Sequence, residues 1–365
     1  MNSNKKILVG ALLAALSASA TAQTAVTVGG LVDTYVGSVR LSGDAARRTV
    51  VTSGGMTTSW FGFNGQEDLG GGIKAEFALN GFFQADTGAA GRFAADNLFS
   101  RHAYVALSSN DMGRILVGRT SAPSFLPAVQ FNPFGDSFQF SPLVQHSYVG
   151  TGAAGARNWA PTMAGDSGWS NLLMYSTPTV SGLQGNLYFQ PGESSGSKQR
   201  NLAANAFYSN GPLGLTATYQ SVRGSNPNAG LAILDSTASG AVNYASINEQ
   251  SGYFVGARYD FTVVKAFATF RKNRNDAVSG RKMDDRTYSL GLSAPVSAAG
   301  MLLFAYADTE RTGSLVGKDR SRDTASIGYD HKLSARTDLY AIYMSDKLSI
   351  AGRAGSFGFG ARHRF

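Results

Sequence analysis

Phe357-Gly358-Phe359-Gly360-Ala361-Arg362-His363-Arg364-Phe365 closes the chain with strict alternation of residue character. In an extended strand, successive side chains point to opposite faces. Phe357, Phe359, Ala361, His363 and Phe365 therefore share one face, and Gly358, Gly360, Arg362 and Arg364 the other. The same division recurs upstream. Tyr253, Val255, Ala257 and Tyr259 oppose Phe254, Gly256 and Arg258, while Ala325, Ile327, Tyr329 and His331 oppose Thr324, Ser326, Gly328 and Asp330.

Worked outward, this unit of about ten residues followed by a Gly, Asn, Asp, Ser or Pro cluster repeats along the chain. It places strands at 25–40, 57–66, 72–84, 98–108, 114–120, 169–177, 183–190, 200–210, 213–222, 249–260, 261–274, 285–294, 301–310, 322–332, 336–346 and 355–365, sixteen in all. A soluble sandwich also alternates, but seldom over so many regularly joined segments. A barrel in lipid requires the alternation, because each strand shows one face to hydrocarbon and one to the lumen. The connections sort by length as well. Tight ones at 67–71, 110–113, 210–213 and 260–261 interleave with long polar ones at 42–56, 87–97, 121–168, 191–199, 223–248 and 275–284. Short turns on one side and long loops on the other mark an up-and-down antiparallel transmembrane β-barrel, an all-β fold. About sixteen strands leave an aqueous channel, whereas about eight would be filled by their own side chains.

Composition removes the other classes. The 365 residues include no cysteine, 43% hydrophobic and 15% charged residues, and 44 glycines, which fits neither a disulfide scaffold nor a disordered chain. No mature stretch reaches the roughly 18 apolar residues of a spanning helix. The formal charge of +8 comes from 32 Lys and Arg that never form a block of five or six, so no nucleic-acid partner is expected. Lys5 and Lys6, the apolar run 7–16 and Ala20-Thr21-Ala22 read as a secretory signal over 1–22, cleaved between Ala22 and Gln23. Residues 23–365 then form a single barrel domain.

These residues resemble the trimeric general porins of Gram-negative outer membranes, in particular the beta-proteobacterial branch. Val26-Thr27-Val28-Gly29-Gly30-Leu31-Val32-Asp33 looks like that family's first strand. Phe61-Gly62-Phe63-Asn64-Gly65-Gln66-Glu67-Asp68-Leu69-Gly70-Gly71-Gly72-Ile73-Lys74-Ala75 looks like its second hairpin. Phe99-Ser100-Arg101-His102-Ala103-Tyr104-Val105-Ala106-Leu107, then Gly118-Arg119-Thr120, resembles the strands leading into its long third loop. The resemblance implies a homotrimer in outer-membrane lipid and lipopolysaccharide, passing ions and small hydrophilic solutes. It also implies that the terminal aromatic Phe365 is the signal read by the outer-membrane assembly machinery.

In the family the third loop folds inward and constricts the pore. Here 121–168 is too long for an idle connection, and it carries Phe125, Phe131, Phe134, Phe138 and Phe140, whereas disordered segments are aromatic-poor. Arg101 and Arg119 match the family's arginines beside the aperture, with Asp136 and Asp33 as the acidic groups to face them. Fixed positive charge in a pore with low-dielectric walls concentrates anions. One departure tempers this. The family's Ser-Arg-Phe-Gly-Phe-Lys-like run reads Ser59-Trp60-Phe61-Gly62-Phe63-Asn64 here, and Asn80 stands where an acidic residue is common. A less charged, more aromatic aperture with weak anion preference follows, with loop-borne Arg47, Arg48, Arg92 and Arg157 in reserve.

The rivals are a solute-specific channel and an outer-membrane barrel acting as an adhesin or receptor, which would need a plugged or narrow lumen. An enzyme is not expected. Of four histidines (His102, His146, His331 and His363), two fall on lipid-facing positions, leaving poor candidates for a nucleophile's base. No cofactor or metal is expected, since cysteine and a His-Glu-x-x-His run are both missing. Gly70-Gly71-Gly72 lacks the Lys-Ser/Thr of a phosphate loop and reads as a turn.

Overall fold

The computed structural model describes residues 25–153, 156–193, 199–223, 232–234 and 241–365. The signal segment and the Ala22/Gln23 junction lie outside them.

The strands are β1 (Ala25–Val39), β2 (Arg48–Ser53), β3 (Trp60–Gly70), β4 (Ile73–Phe82), β5 (His102–Ser109), β6 (Gly113–Ser121), β7 (Thr151–Ala153), β8 (Ala156–Trp159), β9 (Gly168–Ser176), β10 (Leu183–Gln190), β11 (Asn201–Asn210), β12 (Leu213–Val222), β13 (Ala232–Leu234) and β14 (Ala241–Asn243). They continue with β15 (Ile247–Asp260), β16 (Lys265–Ala277), β17 (Lys282–Pro295), β18 (Gly300–Thr312), β19 (Arg320–Lys332), β20 (Thr337–Leu348) and β21 (Ala354–Arg364). Consecutive barrel strands pair antiparallel, and β1 closes the ring on β21, from Leu31 opposite Arg364 to Ser38 opposite Phe357. Closure satisfies every edge inside the sheet, the condition for spanning hydrocarbon. No helix among the described residues is long and apolar enough to cross a membrane.

The barrel has sixteen strand positions because β2 and β3 share one. β3 pairs with the first half of β1 and β2 with the second. Between them, residues 54–59 bulge inward around Asp33. The sequence reading treats β2 as loop, because Arg48–Ser53 carries no apolar alternation. Other boundaries shift by a few residues. β5 starts at His102, not 98, and the β15–β16 turn takes residues 261–264, where Phe261 N donates to Val264 O and Thr262 sits at φ +73°. Gly70, Gly71 and Gly72 stand at φ +81°, +62° and +77°, a left-handed run that strongly favours glycine and that makes them a turn.

Exposure confirms the two faces. Val255, Leu290, Ile327, Phe357 and Phe359 stand out into the surroundings, while Gly256, Gly291, Gly328 and Gly358 are covered on the inside. An apolar outward belt of this extent suits a lipid-facing wall. In the long loops, β7 and β8 with β13 and β14 form a small separate sheet, and helices Phe125–Gln130 and Pro142–Tyr148 lie in the third loop.

Candidate functional site

The third loop leaves β6 and returns to β9, its neck closed by Ala122 N donating to Ser167 O. Its outbound limb runs along the inner wall in chain order. Phe131 meets Gly256 of β15, Pro133 meets Gly291 of β17, Phe134 meets Gly328 of β19 and Phe140 meets Gly358 of β21. A Cβ on any of these glycines would lie 2.4–3.1 Å from the loop ring, so each glycine is a socket. Phe131, Phe134 and Phe140 are buried, and Phe134 and Phe140 join Tyr35, Met56, Tyr340 and Ile342 in one apolar cluster.

The return limb is held by polar bonds. His146 bridges Thr309 and Thr324 through its two ring nitrogens at 2.7 and 2.8 Å. Arg322 donates to Gln145 O, Arg311 to Ala160 O, and Asn273 and Gln250 both to Thr162 O. Arg322 and Arg311 are themselves paired with Asp346 (2.9 Å) and Asp285 (2.6 Å) in fully buried ion pairs. Backbone carbonyls that face no strand need partners when buried, and these wall side chains supply them. Burial holds the His146 imidazole well below its usual range, so it is neutral.

With the loop bound to β15–β21, open space remains against β2–β6 and β9–β11. On the long-loop side is a cavity of about 700 Å³, lined among others by Gly54, Phe83, Arg92, Arg119, Tyr148, Arg157 and Asp166. On the short-turn side is another of about 890 Å³, lined among others by Lys74, Glu76, Tyr104, Arg114 and Gln130.

Between them stand the residues named from sequence. The Arg101 guanidinium lies over the Trp60 ring at 4.0 Å, a cation–π geometry, and no carboxylate of the described residues reaches ion-pair distance. The carboxylate charge that acts on it most is that of Asp136. Burial pushes the Asp136 carboxyl above the usual carboxylate range, against the lowering pull of Thr57, Arg101 and Arg362.

Arg119 is spent otherwise. It pairs with Asp166 at 2.6 Å and donates to Ser100 O and Ser170 Oγ. A register shift between Gly118 and Thr120 breaks the alternation here, which is why its facing cannot be counted along the strand. Arg92 takes both Asp96 and Asp166, and although burial alone would raise these carboxyls, the guanidinium holds both below their usual range.

Asp33, expected opposite the arginines, accepts the N–H groups of Gly55, Met56 and Thr57 and the Tyr340 hydroxyl. Its oxygens hold the 54–59 bulge in place. Phe131 and Phe134 fill the wall sockets behind the loop rather than its free edge, and Phe125 packs against Phe138 and meets Tyr148 edge to face. Phe365 exchanges backbone hydrogen bonds with Gly30, and half of it is exposed. Trp60 and Asn64, the departures noted in sequence, both face inward, with Asn80 donating to Asn64 Oδ1. Asp166 was missed. No spacing rule reaches it, because it meets Arg119 and Arg92 only once the loop has folded back.

A profile described as Gram-negative porin matches residues 10–350. The chain belongs to this family. Outer membrane porin protein 32 of Delftia acidovorans is 30% identical over 345 residues, covering 92% of this chain and 88% of that protein. An outer membrane porin protein of Bordetella pertussis is 26% identical over 416 residues, covering 99% and 100%. Among solved structures, the anion-selective porin from Comamonas acidovorans superposes with a TM-score of 0.72 at 25% identity, over 94% of this chain and 100% of that one. The porin is thus an outer-membrane barrel, and its channel passes ions and small hydrophilic solutes by passive diffusion.

Proposed function

We propose that this porin is a weakly anion-preferring diffusion channel, that residues 121–168 constrict it, and that Arg101 facing Asp136 sets its selectivity. The observation that carries the reading is the Arg101 guanidinium, stacked on Trp60 and without an ion-pair partner, while Arg92 and Arg119 are matched by Asp96 and Asp166. An unmatched cation in a water-filled bore raises the local anion concentration. Such a charge, opposed by Asp136, gives a weak preference. The Comamonas relative is described as anion-selective, which supports the sign.

The working unit is a homotrimer in lipid and lipopolysaccharide, inserted by the assembly machinery through Phe365, and transport involves no catalytic step, cofactor or metal. The test is single-channel recording of the refolded protein in planar bilayers under a KCl gradient. The expected result is stepwise current with an anion-favouring reversal potential that moves toward cations in Arg101→Ala. A folded barrel without conductance would overturn the channel reading, and an unmoved reversal potential would overturn the role of Arg101.

A further inference from the structure

The outward wall carries a pair of cations that a general lipid-facing surface does not need. Along β16 and β17, Arg271 and Thr287 are buried on the inside, so their neighbours Lys272 and Arg286 point outward. The register sets these two directly opposite each other. Like charges in that position destabilise a strand pair. Carboxylates are near but otherwise placed. Asp276 is taken by Arg274 at 3.3 Å. Asp284, two positions before Arg286, and Glu310, opposite it on β18, reach neither Lys272 nor Arg286 at ion-pair distance among the described residues.

From this pair toward the short turns, the outward face becomes aromatic and then apolar. Tyr253, Phe270 and Tyr288 stand in a row across β15, β16 and β17, with ring centroids 5.8 and 4.9 Å apart. Phe270 and Tyr288 are the next residues on the same face from Lys272 and Arg286. An aromatic row of this kind marks the boundary between headgroups and hydrocarbon. Beyond it lies an apolar trough of about 770 Å³, bounded by Leu215, Val255 and Leu290 as well as Phe270 and Tyr288. Small side chains make room for it: Ala206 is opposite Ala217, and Ala257 is opposite Ala268.

We propose that Lys272, Arg286 and the trough hold one lipid of the long-loop-side leaflet, its headgroup phosphate between the two cations and an acyl chain in the trough. A phosphate placed there turns a repulsive pair into a bridged one through charge-assisted hydrogen bonds. Each basic side chain near the membrane surface adds to the attraction of an anionic headgroup. A free phosphate would match the cations but leave the trough uncovered. A lipid without net charge would do the reverse. Such a site specifies the lipid partner of the function proposed above; it rests on that reading's wall in lipid and not on the selectivity of Arg101.

The probe is dimyristoyl phosphatidic acid, whose headgroup is a phosphate, with dimyristoyl phosphatidylcholine as the control of equal chains and no net charge. Native mass spectrometry of the detergent-solubilised protein counts the lipids retained as lipid concentration rises. Wild type is expected to retain phosphatidic acid at concentrations about tenfold or more below those needed for phosphatidylcholine, the value of two basic contacts to an anionic headgroup. Lys272→Gln with Arg286→Gln should remove that preference. Lys332→Gln with Arg336→Gln takes the same charge from the exposed turn between β19 and β20 and should keep it. Ala268→Phe fills the trough from an outward position, where the added ring meets lipid and not the packed interior, and should weaken retention of phosphatidic acid.

Equal retention of the two lipids by wild type would overturn the proposal. So would an undiminished preference in Lys272→Gln with Arg286→Gln, or an equal loss in Lys332→Gln with Arg336→Gln, which would mean that net charge alone attracts the lipid. Undiminished retention in Ala268→Phe would overturn the trough as the seat of the chain. Chloride current reports separately on the channel: its absence from a folded wild-type barrel would count against the function proposed above and leave the retention result standing.

Discussion

Phe140 occupies the space that a side chain on Gly358 would need: a Cβ there would fall 2.7 Å from the Phe140 ring and 2.9 Å from that of Tyr35. Gly358 lies on the closing strand, and Phe140 ends the outbound limb of the loop. Gly358→Ala should therefore push the limb from the wall, at a cost of about 1–3 kcal/mol for overpacking. The expected result is noisier single-channel current with the barrel's strand signal in circular dichroism unchanged. Phe140→Ala empties the same socket from the other side and should cost about 3–5 kcal/mol. Quiet wild-type current in both variants would mean that the socket does not hold the loop.

Asp33 makes a different prediction. Four donors converge on its carboxylate, three of them N–H groups of the 54–59 bulge at 2.8–3.0 Å. An amide offers one acceptor oxygen where the carboxylate offers two, so Asp33→Asn should leave N–H groups of the bulge unsatisfied, at roughly 1–3 kcal/mol each. The β1–β21 ladder does not depend on this carboxylate. Hydrogen exchange should accelerate at residues 54–59 and stay slow along β1 and β21. Unchanged exchange at Gly55, Met56 and Thr57 would refute the anchoring role.

What the sequence discloses and what it hides divide along one physical line. Alternation at Phe357–Phe365 and Tyr253–Tyr259 is local, set by lipid on one face and water on the other, and the strand count follows from it. The interior of the loop is not local. Phe131 and Phe134 read as aperture residues because they are aromatic and sit in 121–168, yet glycines more than a hundred positions away receive them. Arg119 is obscured by the register shift beside it, and Asp33 by a bulge that no pattern announces. The stacking of Arg101 on Trp60 is equally hidden, since the two lie forty-one positions apart and no local pattern joins them.

If Asp136 faces Arg101 at the constriction, as proposed, it sets the pH dependence. Its carboxyl is held above the usual carboxylate range, chiefly by burial, so it takes up its proton while ordinary surface carboxylates are still ionised. Arg101 stays charged throughout. As pH falls, the constriction loses a negative charge and keeps its positive one, and anion preference should rise. The reversal potential under a KCl gradient should move in that direction on mild acidification, and Asp136→Asn should show the shifted value already at neutral pH, with that step gone. A wild-type shift toward cations on acidification would contradict the assignment.

The buried pair Arg322–Asp346 holds the return limb from behind. Both side chains are fully buried, and Asp346 also accepts the Thr324 hydroxyl while Thr324 meets His146. Removing one partner strands the other charge in a dry wall, which costs about 3–5 kcal/mol, whereas replacing both with apolar residues of similar volume is commonly near neutral. Asp346→Asn should thus destabilise strongly, and the double change Arg322→Met with Asp346→Leu should recover most of the thermal stability. The same pair separates stability from loop anchoring. Of the two partners, Arg322 is the one that donates to Gln145 and Val149, so the double variant, although stable, lacks those bonds and should show a more mobile 142–149 segment by hydrogen exchange. If the double variant is as unstable as the single one, the charge pair is not the source of the cost. If its loop exchanges as slowly as wild type, His146 and the glycine sockets suffice to fix the limb.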